Sequence, residues 1–435
     1  MSTALAQARE NSNAGRAQWV ALSLLVVSIC INYMDRGNLS VAAHQVSVEL
    51  HLDAVYTGLL LSAFFWSYAS FQVVSGWLID RYNVNWVYAA GFLLWSAATA
   101  MTGLTRTFVE LFALRLLLGM SESVAYPSYS KIIASGFPEK QRGLANSLID
   151  AGSKIGPAVG MIAGGLILAS FGWRTMFVSI GGISLLWLIP WVWVIRKPAV
   201  AAPIEALEPG RLEPTVAPNG PAPGYLPGFR DILLQREAWG TFIGLFAGNY
   251  AWYFLLTWLP SYLIMERHYT TRMMAVYGSL PFWGVALSAV VSGWLSDRWI
   301  ARGGSPTRVR KTFAVAGLTL GTLMLPAAMV KNPVGSMALL MSAWLAYGLF
   351  SSNIWAITQT LAGPLAAGKW TGLQNGIGNL AGVVAPVVTG LIVQQTGKFF
   401  YAFVAVCAVL LVGAASYLFV VRRVEPVEWG VGPLN

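Results

Sequence analysis

Long apolar stretches alternate with short polar segments along almost the whole chain. A helix that crosses a bilayer needs about 20 mostly apolar residues. Twelve stretches meet this requirement, and we predict a membrane-spanning helix over each: 17–38, 55–79, 84–104, 107–135, 141–170, 173–195, 237–264, 273–299, 311–330, 333–360, 369–395 and 399–421. The segment between the sixth and seventh helices is rich in Pro, Ala and Glu, which is typical of an extended linker.

This linker divides the chain into two halves with six predicted helices each. The expected fold is an all-α membrane protein of two pseudo-symmetric six-helix bundles. Its expected parts are an N-terminal tail, an N-terminal bundle, a cytoplasmic linker, a C-terminal bundle and a C-terminal tail, over 1–16, 17–195, 196–236, 237–421 and 422–435.

A repeated sequence relates the two halves. VVSGWLIDR at 73–81 returns as VVSGWLSDR at 290–298, and Phe65-Trp66 returns as Phe282-Trp283 in the same register, 217 residues later in a chain of 435. Transporters built from repeated bundles bind their substrate at the repeat interface, near the bilayer midplane. The duplication therefore predicts a secondary transporter.

Composition and charge support a membrane location. The chain is 56% hydrophobic and 11% charged, whereas soluble domains have about 45–50% and about 25%. The net charge of +10 could indicate nucleic acid, but most basic residues lie in the short segments between apolar stretches. With a cytoplasmic N-terminus, 19 Lys and Arg lie on that side and six on the other. The positive-inside rule then places both termini in the cytoplasm. We expect a multi-pass protein of the inner membrane, embedded in the lipid bilayer, with no nucleic-acid partner.

Six ionisable residues lie well inside the predicted helices, all in the first half: Asp35, Arg36, Arg115, Glu122, Asp150 and Lys154. A charged side chain at the bilayer centre costs roughly 2.5–3.5 kcal/mol on insertion scales. These residues are therefore expected to pair with one another or to face an internal cavity. A path for substrate and ions is the favoured interpretation, and a set of structural ion pairs is the alternative.

The spacing of these residues refines the prediction. Arg115 and Glu122, seven residues apart, share one helix face, and Asp150 and Lys154, four apart, can touch. From the predicted helix ends, Asp35 is expected toward the outside and Glu122 near the middle. A buried carboxylate that titrates as access alternates is what proton coupling requires, and Arg can donate two parallel hydrogen bonds to a substrate carboxylate. Lys154 is either a substrate-facing cation balanced by Asp150 or half of a purely structural pair.

The second half offers uncharged polar and aromatic groups. The favoured binding cluster contains Ser352, Asn353, Trp355 and Asn375, although interhelical hydrogen bonding is the alternative for any single residue.

The repeated segment is predicted to act in gating. Gly76 and Gly293 are expected to let helices approach closely. The acid–base pairs at the predicted cytoplasmic helix ends are expected to form inter-helix contacts that stabilise one access state, with plain surface solvation as the alternative: Asp80, Arg81, Asp297 and Arg298. The sequence contains no phosphate-cradling loop for ATP, and the two Cys in apolar stretches indicate no metal site. We expect no catalytic residue, no metal and no cofactor.

These residues resemble the major facilitator superfamily, whose loop between helices 2 and 3 carries a Gly followed four residues later by Asp-Arg. The first copy departs from that pattern, since YNVNW follows it. Within the superfamily the chain is similar to the anion:cation symporter family, which includes carriers of D-galactonate, other sugar acids and sialic acid. The strings that carry this resemblance are NYMDRGNLSVA at 32–42, LRLLLGMSESVAYPS at 114–128, FPEKQR at 137–142 and GLQNGIGNLAG at 372–382.

The resemblance implies roles for individual residues. Asp35 and Glu122 match the family's proton-coupling acids, and Arg36 and Arg115 match the arginines that contact the substrate carboxylate or regulate those acids. Tyr33 lies next to this site. The D-galactonate carriers have a Gln on helix 5 about where this chain has Ser153, and no Lys follows it there. This chain departs from that pattern at Asp150, Ser153 and Lys154. The departure suggests that its substrate is a different organic acid, such as a dicarboxylate or an aromatic acid.

The function predicted from the sequence is a proton-coupled symporter that imports an organic anion, a sugar acid or related carboxylate, by alternating access. Its partners are the anion, protons and the bilayer, and a monomer is expected. An organic-anion exporter or exchanger on the same fold is the first alternative. A membrane receptor or enzyme would need a structured domain outside the helices, and no segment is long enough for one.

Overall fold

A computed structural model describes residues 2–137, 139–196 and 227–429, and helices are the only regular elements within these ranges. The first half contains seven of them: α1 (Ser2–Glu49), α2 (Ala54–Arg81), α3 (Val84–Thr102), α4 (Phe108–Glu122), α5 (Ala125–Gly136), α6 (Glu139–Leu185) and α7 (Leu188–Ile195). The second half contains α8 (Phe229–Leu234), α9 (Arg236–Met265), α10 (Thr271–Ala301), α11 (Pro306–Gly321), α12 (Met324–Met329), α13 (Pro333–Thr396), α14 (Phe400–Ala415) and a π-helical turn (Ser416–Val420).

Two left-handed glycines separate helices that run on from one another. Gly172 (φ 79°) interrupts α6 where the fifth predicted span ends, and Gly363 (φ 61°) interrupts α13 between the tenth and eleventh spans. A residue without a Cβ adopts a positive φ at little steric cost. The fourth, ninth and twelfth predicted spans each consist of two consecutive elements: α4 with α5, α11 with α12, and α14 with the π-helical turn.

Within the described ranges, nine helices are long and apolar enough to cross a membrane. One of them, Ala145–Ile195, contains both predicted spans that meet at Gly172. The predicted spans at α3 and at α4 with α5 are shorter or less apolar and are not among the nine. With these additions, every one of the twelve predicted spans has a helical counterpart.

The end of the first span was predicted wrongly. It was placed at residue 38, where Asn38, Ser40 and His44 interrupt the apolar run, but α1 continues to Glu49. Two of these residues donate hydrogen bonds within the helix: the Ser40 hydroxyl donates to the carbonyl of Gly37 (2.7 Å) and Asn38 Nδ2 donates to Asp35 Oδ1 (3.1 Å), whereas Asn38 Oδ1 has no partner among the described residues. Asp35 therefore lies near the middle of the apolar helix Gln18–Glu49 rather than toward its outer end.

The chain forms two compact units. The first comprises the described residues up to 196 together with His268–Ser279, and the second comprises 227–267 and 280–429. Residues 197–226 of the predicted linker lie outside the described ranges, as does the end of the predicted C-terminal tail. The described end of the linker is not extended throughout, because it contains α8. The side chains of the predicted N-terminal tail also lie outside the described part.

Small residues set the packing that positions α1. Gly156 and Gly160 of α6 face this helix, and a Cβ would lie 2.5 Å from the Cys30 carbonyl oxygen in the first case and 2.8 Å from Met34 Cγ in the second. Such four-residue spacing of small residues lets membrane helices approach closely. The close contact fixes the stretch of α1 that carries Tyr33, Asp35 and Arg36.

Candidate substrate and coupling site

The first unit buries an ion pair between α1 and α4. Arg36 Nε donates to Glu122 Oε2 at 2.8 Å, and the two side chains are 3% and 0% exposed. Removing two charges from water costs several kcal/mol per ion, and only good geometry repays this cost. The stability of the buried pair therefore depends on its direct contact.

Aromatic rings surround the guanidinium of Arg36. Its Cζ lies 4.5 Å from the ring centroid of Tyr68, 4.6 Å from that of Tyr33 and 4.9 Å from that of Phe64. The Tyr33 hydroxyl also contacts the Tyr126 hydroxyl at 3.0 Å. Cations gain cation–π stabilisation of about 2 kcal/mol when desolvated against such rings. The rings hold the planar group in place without neutralising it.

Asp35 and Arg115 are buried but not directly paired. Asp35 is 1% exposed and accepts a hydrogen bond from Asn38, and Arg115 is 3% exposed with its Cζ 5.4 Å from the Phe64 ring centroid. Among the described residues, neither makes an ion pair within 4.0 Å. The two charges interact through space while each keeps hydrogen-bonding capacity.

Several polar atoms of this cluster have no hydrogen-bond partner among the described residues: both amide atoms of Asn32, Asp35 Oδ2, Arg36 Nη2, Arg115 Nε and Glu122 Oε1. A buried polar group left without a partner costs about 1–3 kcal/mol. Most buried groups in native proteins avoid that cost. A concentration of such atoms around two acids and two arginines indicates a site that binds something polar.

The predicted contact between Asp150 and Lys154 also forms, whereas the Arg36–Glu122 pair was not predicted. Lys154 Nζ donates to Asp150 Oδ1 at 2.7 Å, and the two side chains are 17% and 65% exposed. The Ser153 hydroxyl donates to the backbone carbonyl of Asp150 at 2.6 Å. Ser153 is therefore turned toward its own helix, whereas the ammonium of Lys154 lies beside an accessible carboxylate.

In the second unit, the predicted binding residues belong to separate hydrogen-bonded groups. Ser352 Oγ contacts Ser292 Oγ at 2.9 Å, and Ser296 donates to Asn353 Oδ1 at 2.7 Å. These bonds join α13 to α10 and match the interhelical alternative. Asn375 is exposed and accepts from Asn379 Nδ2 at 3.1 Å, and Trp355 is half-buried.

The glycines of the repeated segment do not make the expected close contacts. A Cβ on Gly76 would meet nothing within 4 Å, and one on Gly293 would meet only Ser352 Cβ at 3.8 Å. The helices approach closely at other glycines: a Cβ on Gly119 would overlap the Phe64 carbonyl oxygen, and one on Gly348 would lie 2.6 Å from Ser288 Cβ. The prediction for Gly76 and Gly293 is wrong because the repeat's serine, not its glycine, faces the neighbouring helix.

That serine makes the same contact in both halves. Ser75 Oγ contacts Ser123 Oγ at 2.5 Å, and Ser292 Oγ contacts Ser352 Oγ at 2.9 Å. The partner serines each lie four residues after a close-contact glycine, in GMSES at 119–123 and GLFSS at 348–352. This second repeat was a signal that could have been found in the sequence.

The charged residues of the repeated segment make few contacts. Arg81 and Asp297 are exposed, and Asp297 has no ion pair among the described residues. The Arg298 guanidinium lies 5.1 Å from the ring centroid of Trp294. The Asp80 side chain lies outside the described part of the chain.

Sequence reasoning missed the uncharged members of the buried cluster. Asn32 precedes Asp35 by three residues and Arg36 by four, so helical spacing could have placed it on the same side of α1. Phe64, Tyr68 and Tyr126 gave no signal, because aromatic residues are common throughout the predicted spans.

A bundle of membrane-length helices that buries two acids and two arginines around unpartnered polar atoms is the construction of a multi-pass membrane transporter. The sequence model of the Major Facilitator Superfamily matches residues 25–383, so the chain belongs to this superfamily. The protein is accordingly a transporter and not an enzyme.

Similar proteins span nearly the full length of the chain. The D-galactonate transporter of Escherichia coli is 29% identical over 95% of this chain and 97% of its own length. The probable galactarate/D-glucarate transporter GarP of Escherichia coli is 28% identical over 96% and 98%. The probable sulfoacetate transporter SauU of Cupriavidus necator is 29% identical over 93% and 94%.

The fold is also that of a solved transporter. The crystal structure of a bacterial homolog of the human lysosomal transporter Spinster, inward-facing and unoccupied, matches with a TM-score of 0.77 at 18% identity. The match covers 93% of this chain and 97% of that chain.

Proposed function

We propose that the protein is a proton-coupled symporter that imports an organic anion, a sugar acid or related carboxylate, by alternating access. The single observation that carries the proposal is the buried Arg36–Glu122 contact beside Asp35 and Arg115. The relatives support an anionic substrate, because they are named for galactonate, galactarate or glucarate, and sulfoacetate.

The ion pair suggests how substrate and proton are linked. A carboxylate that binds Arg36 competes with Glu122 for the same guanidinium, whose Nη2 has no partner among the described residues. Glu122, once displaced, would be a buried charge without a partner, which costs several kcal/mol. Taking up a proton removes that cost. Binding of the anion and protonation of Glu122 therefore favour each other.

The remaining residues have supporting roles in this proposal. Asp35 is the second proton-coupling acid, and Arg115 balances the two acids. Tyr33 orients the Arg36 guanidinium, and Lys154 and Ser153 border the substrate.

In the second half, we assign Trp355 and Asn375 to the substrate. Ser352 and Asn353 instead hold α13 against α10 through the bonds described above. Asp80 and Asp297, with Arg81 and Arg298, keep the proposed gating role at the cytoplasmic helix ends.

The protein would act as a monomer in the inner membrane with both termini in the cytoplasm. This orientation follows from the excess of Lys and Arg on the side that carries the termini.

Uptake into proteoliposomes tests the proposal. Purified protein would be reconstituted, and labelled D-galactonate and galactarate would be supplied with and without an inward proton gradient. The proposal expects accumulation that requires the gradient and collapses with a protonophore. Gradient-independent exchange against internal anion would favour the exchanger alternative. A thermal-shift screen of sugar acids, aldarates and aromatic acids would first identify the anion to use.

A further inference from the structure

An open groove runs along one face of α11 in the second unit. It has a volume of about 730 Å³ and lies between α11 and Leu418 of the π-helical turn. The lining positions recur every three or four residues from Arg308 to Leu320, which is the spacing of one helix face. This helix belongs to the apolar span Pro306–Met329. The groove therefore follows a membrane helix, and none of the proposed substrate or proton residues lines it.

The chemistry of the groove changes along its length. Arg308 and Lys311 line the end where α11 begins, with Leu418 beside Lys311, and Ala316 and Leu320 line the other part. Leu320 and Leu418 are 46% and 48% exposed. Twelve residues of helix separate Arg308 from Leu320, a distance of about 18 Å. One leaflet contributes about 15 Å of hydrocarbon, so the groove has the length of one acyl chain with two cations at one end.

The cationic end is held in place and lacks a counter-charge. Lys311 Nζ donates to the carbonyl of Val421 at 2.7 Å and contacts those of Leu418 and Arg422 at 3.2 and 3.3 Å. No acid lines the groove, and neither Arg308 nor Lys311 has an ion pair among the described residues. The first turn of α11, capped by Ser305, adds the positive end of the helix dipole.

We propose that this groove is a binding site for an anionic phospholipid, with the phosphate at Arg308 and Lys311 and one acyl chain along the face from Thr312 to Leu320. Basic pockets between membrane helices on the cytoplasmic side bind anionic headgroups, and the positive-inside rule places the start of α11 on that side. Charge complementarity selects an anionic over a zwitterionic headgroup. The apolar length selects a lipid over a free phosphate. This proposal does not depend on which anion the protein transports.

Native mass spectrometry of the full chain tests the site. The protein in detergent would be mixed with phosphatidylglycerol and phosphatidylcholine at equal concentration, and the retained lipid counted. The wild type should retain phosphatidylglycerol preferentially. Arg308→Gln should lower that preference about fivefold, the equivalent of about 1 kcal/mol for one basic residue at a membrane surface. The matched control is Arg302→Gln, at an exposed residue that directly follows α10 and does not line the groove, and it should change nothing.

Filling the groove provides a second, independent variant. Ala316→Phe should reduce retention of phosphatidylglycerol by blocking the acyl chain, whereas Val412→Phe at another exposed position (59%) should not. These variants decide the question even if Lys311→Gln fails to fold after losing its carbonyl contacts. Equal retention of the two lipids by the wild type would overturn the proposal. So would an unchanged preference in Arg308→Gln, or displacement by equimolar glycerol phosphate, which would indicate a site for soluble anions.

Discussion

Arg36 is the residue on which the proposed chemistry depends. Three aromatic rings pack around its guanidinium. Its Nε donates a hydrogen bond to Glu122, and its Nη2 has no partner among the described residues. A planar group of this kind donates to two acceptors at once, whereas an ammonium is a point charge. The Nη2 group is therefore the place where a substrate carboxylate would begin to displace Glu122 from the guanidinium.

Replacement of Arg36 by Lys should weaken substrate binding about tenfold or more, because a charge-assisted hydrogen bond contributes about 1.5–3 kcal/mol. Isothermal titration calorimetry with the anion found in the thermal-shift screen would measure this loss of affinity. Arg174→Lys, which alters an exposed ion pair with Glu49, is the control that should keep normal affinity. Normal affinity in Arg36→Lys would contradict the assignment.

The Asp150–Lys154 pair separates a substrate role from a structural one. The exposed fraction of Asp150 is 65%, and ion pairs of exposed residues contribute about 0–1 kcal/mol. The double variant Asp150→Asn with Lys154→Met should therefore fold normally. We expect it to lose affinity for the native anion, because in our proposal Lys154 supplies a cation to the substrate. Wild-type transport kinetics in this well-expressed variant would mean that Asp150 and Lys154 form only a structural ion pair.

The charged residues of the site could be identified from the sequence alone, because an ionisable group inside an apolar run is conspicuous. Their partners could not. Which carboxylate pairs with Arg36 depends on how α1 and α4 are placed in the bundle, and spacing within one helix carries no information about that placement. Ser352 and Asn353 show the converse, since their polarity suggested a ligand while their hydrogen bonds join two helices.

At the scale of helices, a glycine and a serine four residues apart form the contact between neighbouring helices in each half. Gly119 and Ser123 pack α4 and the following turn against α2, and Gly348 and Ser352 pack α13 against α10. This repeated contact holds the stretch of α4 that carries Arg115 and Glu122. The geometry of the site therefore rests on a position that has no charge.

Gly119→Ala should destabilise the protein by about 1–3 kcal/mol, because the added Cβ would overlap backbone of α2 and the helices cannot relax freely. Gly76→Ala is the matched control on α2, where nothing lies within 4 Å, and should be neutral or slightly stabilising. Thermal unfolding in detergent, followed by loss of the monodisperse peak on size-exclusion chromatography, compares the two. Equal stability of both variants would contradict the contact.

Hydropathy predicted the number of membrane helices, but it predicted the ends of those helices less well. The end of α1 was misplaced because Asn38, Ser40 and His44 look like a loop, yet the Asn38 amide nitrogen and the Ser40 hydroxyl donate hydrogen bonds within the helix. The break at Gly172 lies in the gap predicted between the fifth and sixth spans. Local hydrogen bonding, unlike hydropathy, cannot be read from composition.

At the scale of the whole molecule, charge asymmetry predicts the orientation. A reporter fused after residue 435 tests it: green fluorescent protein should fluoresce and alkaline phosphatase should be inactive, because the terminus is expected in the cytoplasm. A fusion after His268, in a predicted outer loop, should give the reverse pattern. Active phosphatase at the C-terminus would contradict the orientation and with it the side on which the lipid groove opens.

The two halves divide the proposed work unequally. The six embedded ionisable residues lie in the first half, whereas the second contributes Trp355 and Asn375. Coupling is then a property of one bundle, since the acid and the arginine that exchange partners both belong to it. In a transporter of this kind, a single substitution can therefore abolish proton coupling and leave substrate binding intact.

The Glu122→Gln variant tests most directly whether proton coupling can be separated from substrate binding. Glutamine keeps the shape of the side chain and an acceptor for Arg36 Nε, but it cannot take up or release a proton. In proteoliposomes, the variant should exchange labelled for unlabelled anion in counterflow as the wild type does, yet fail to accumulate the anion under an inward proton gradient. Accumulation at the wild-type level by Glu122→Gln would contradict the proposal that this buried carboxylate couples the anion to the proton.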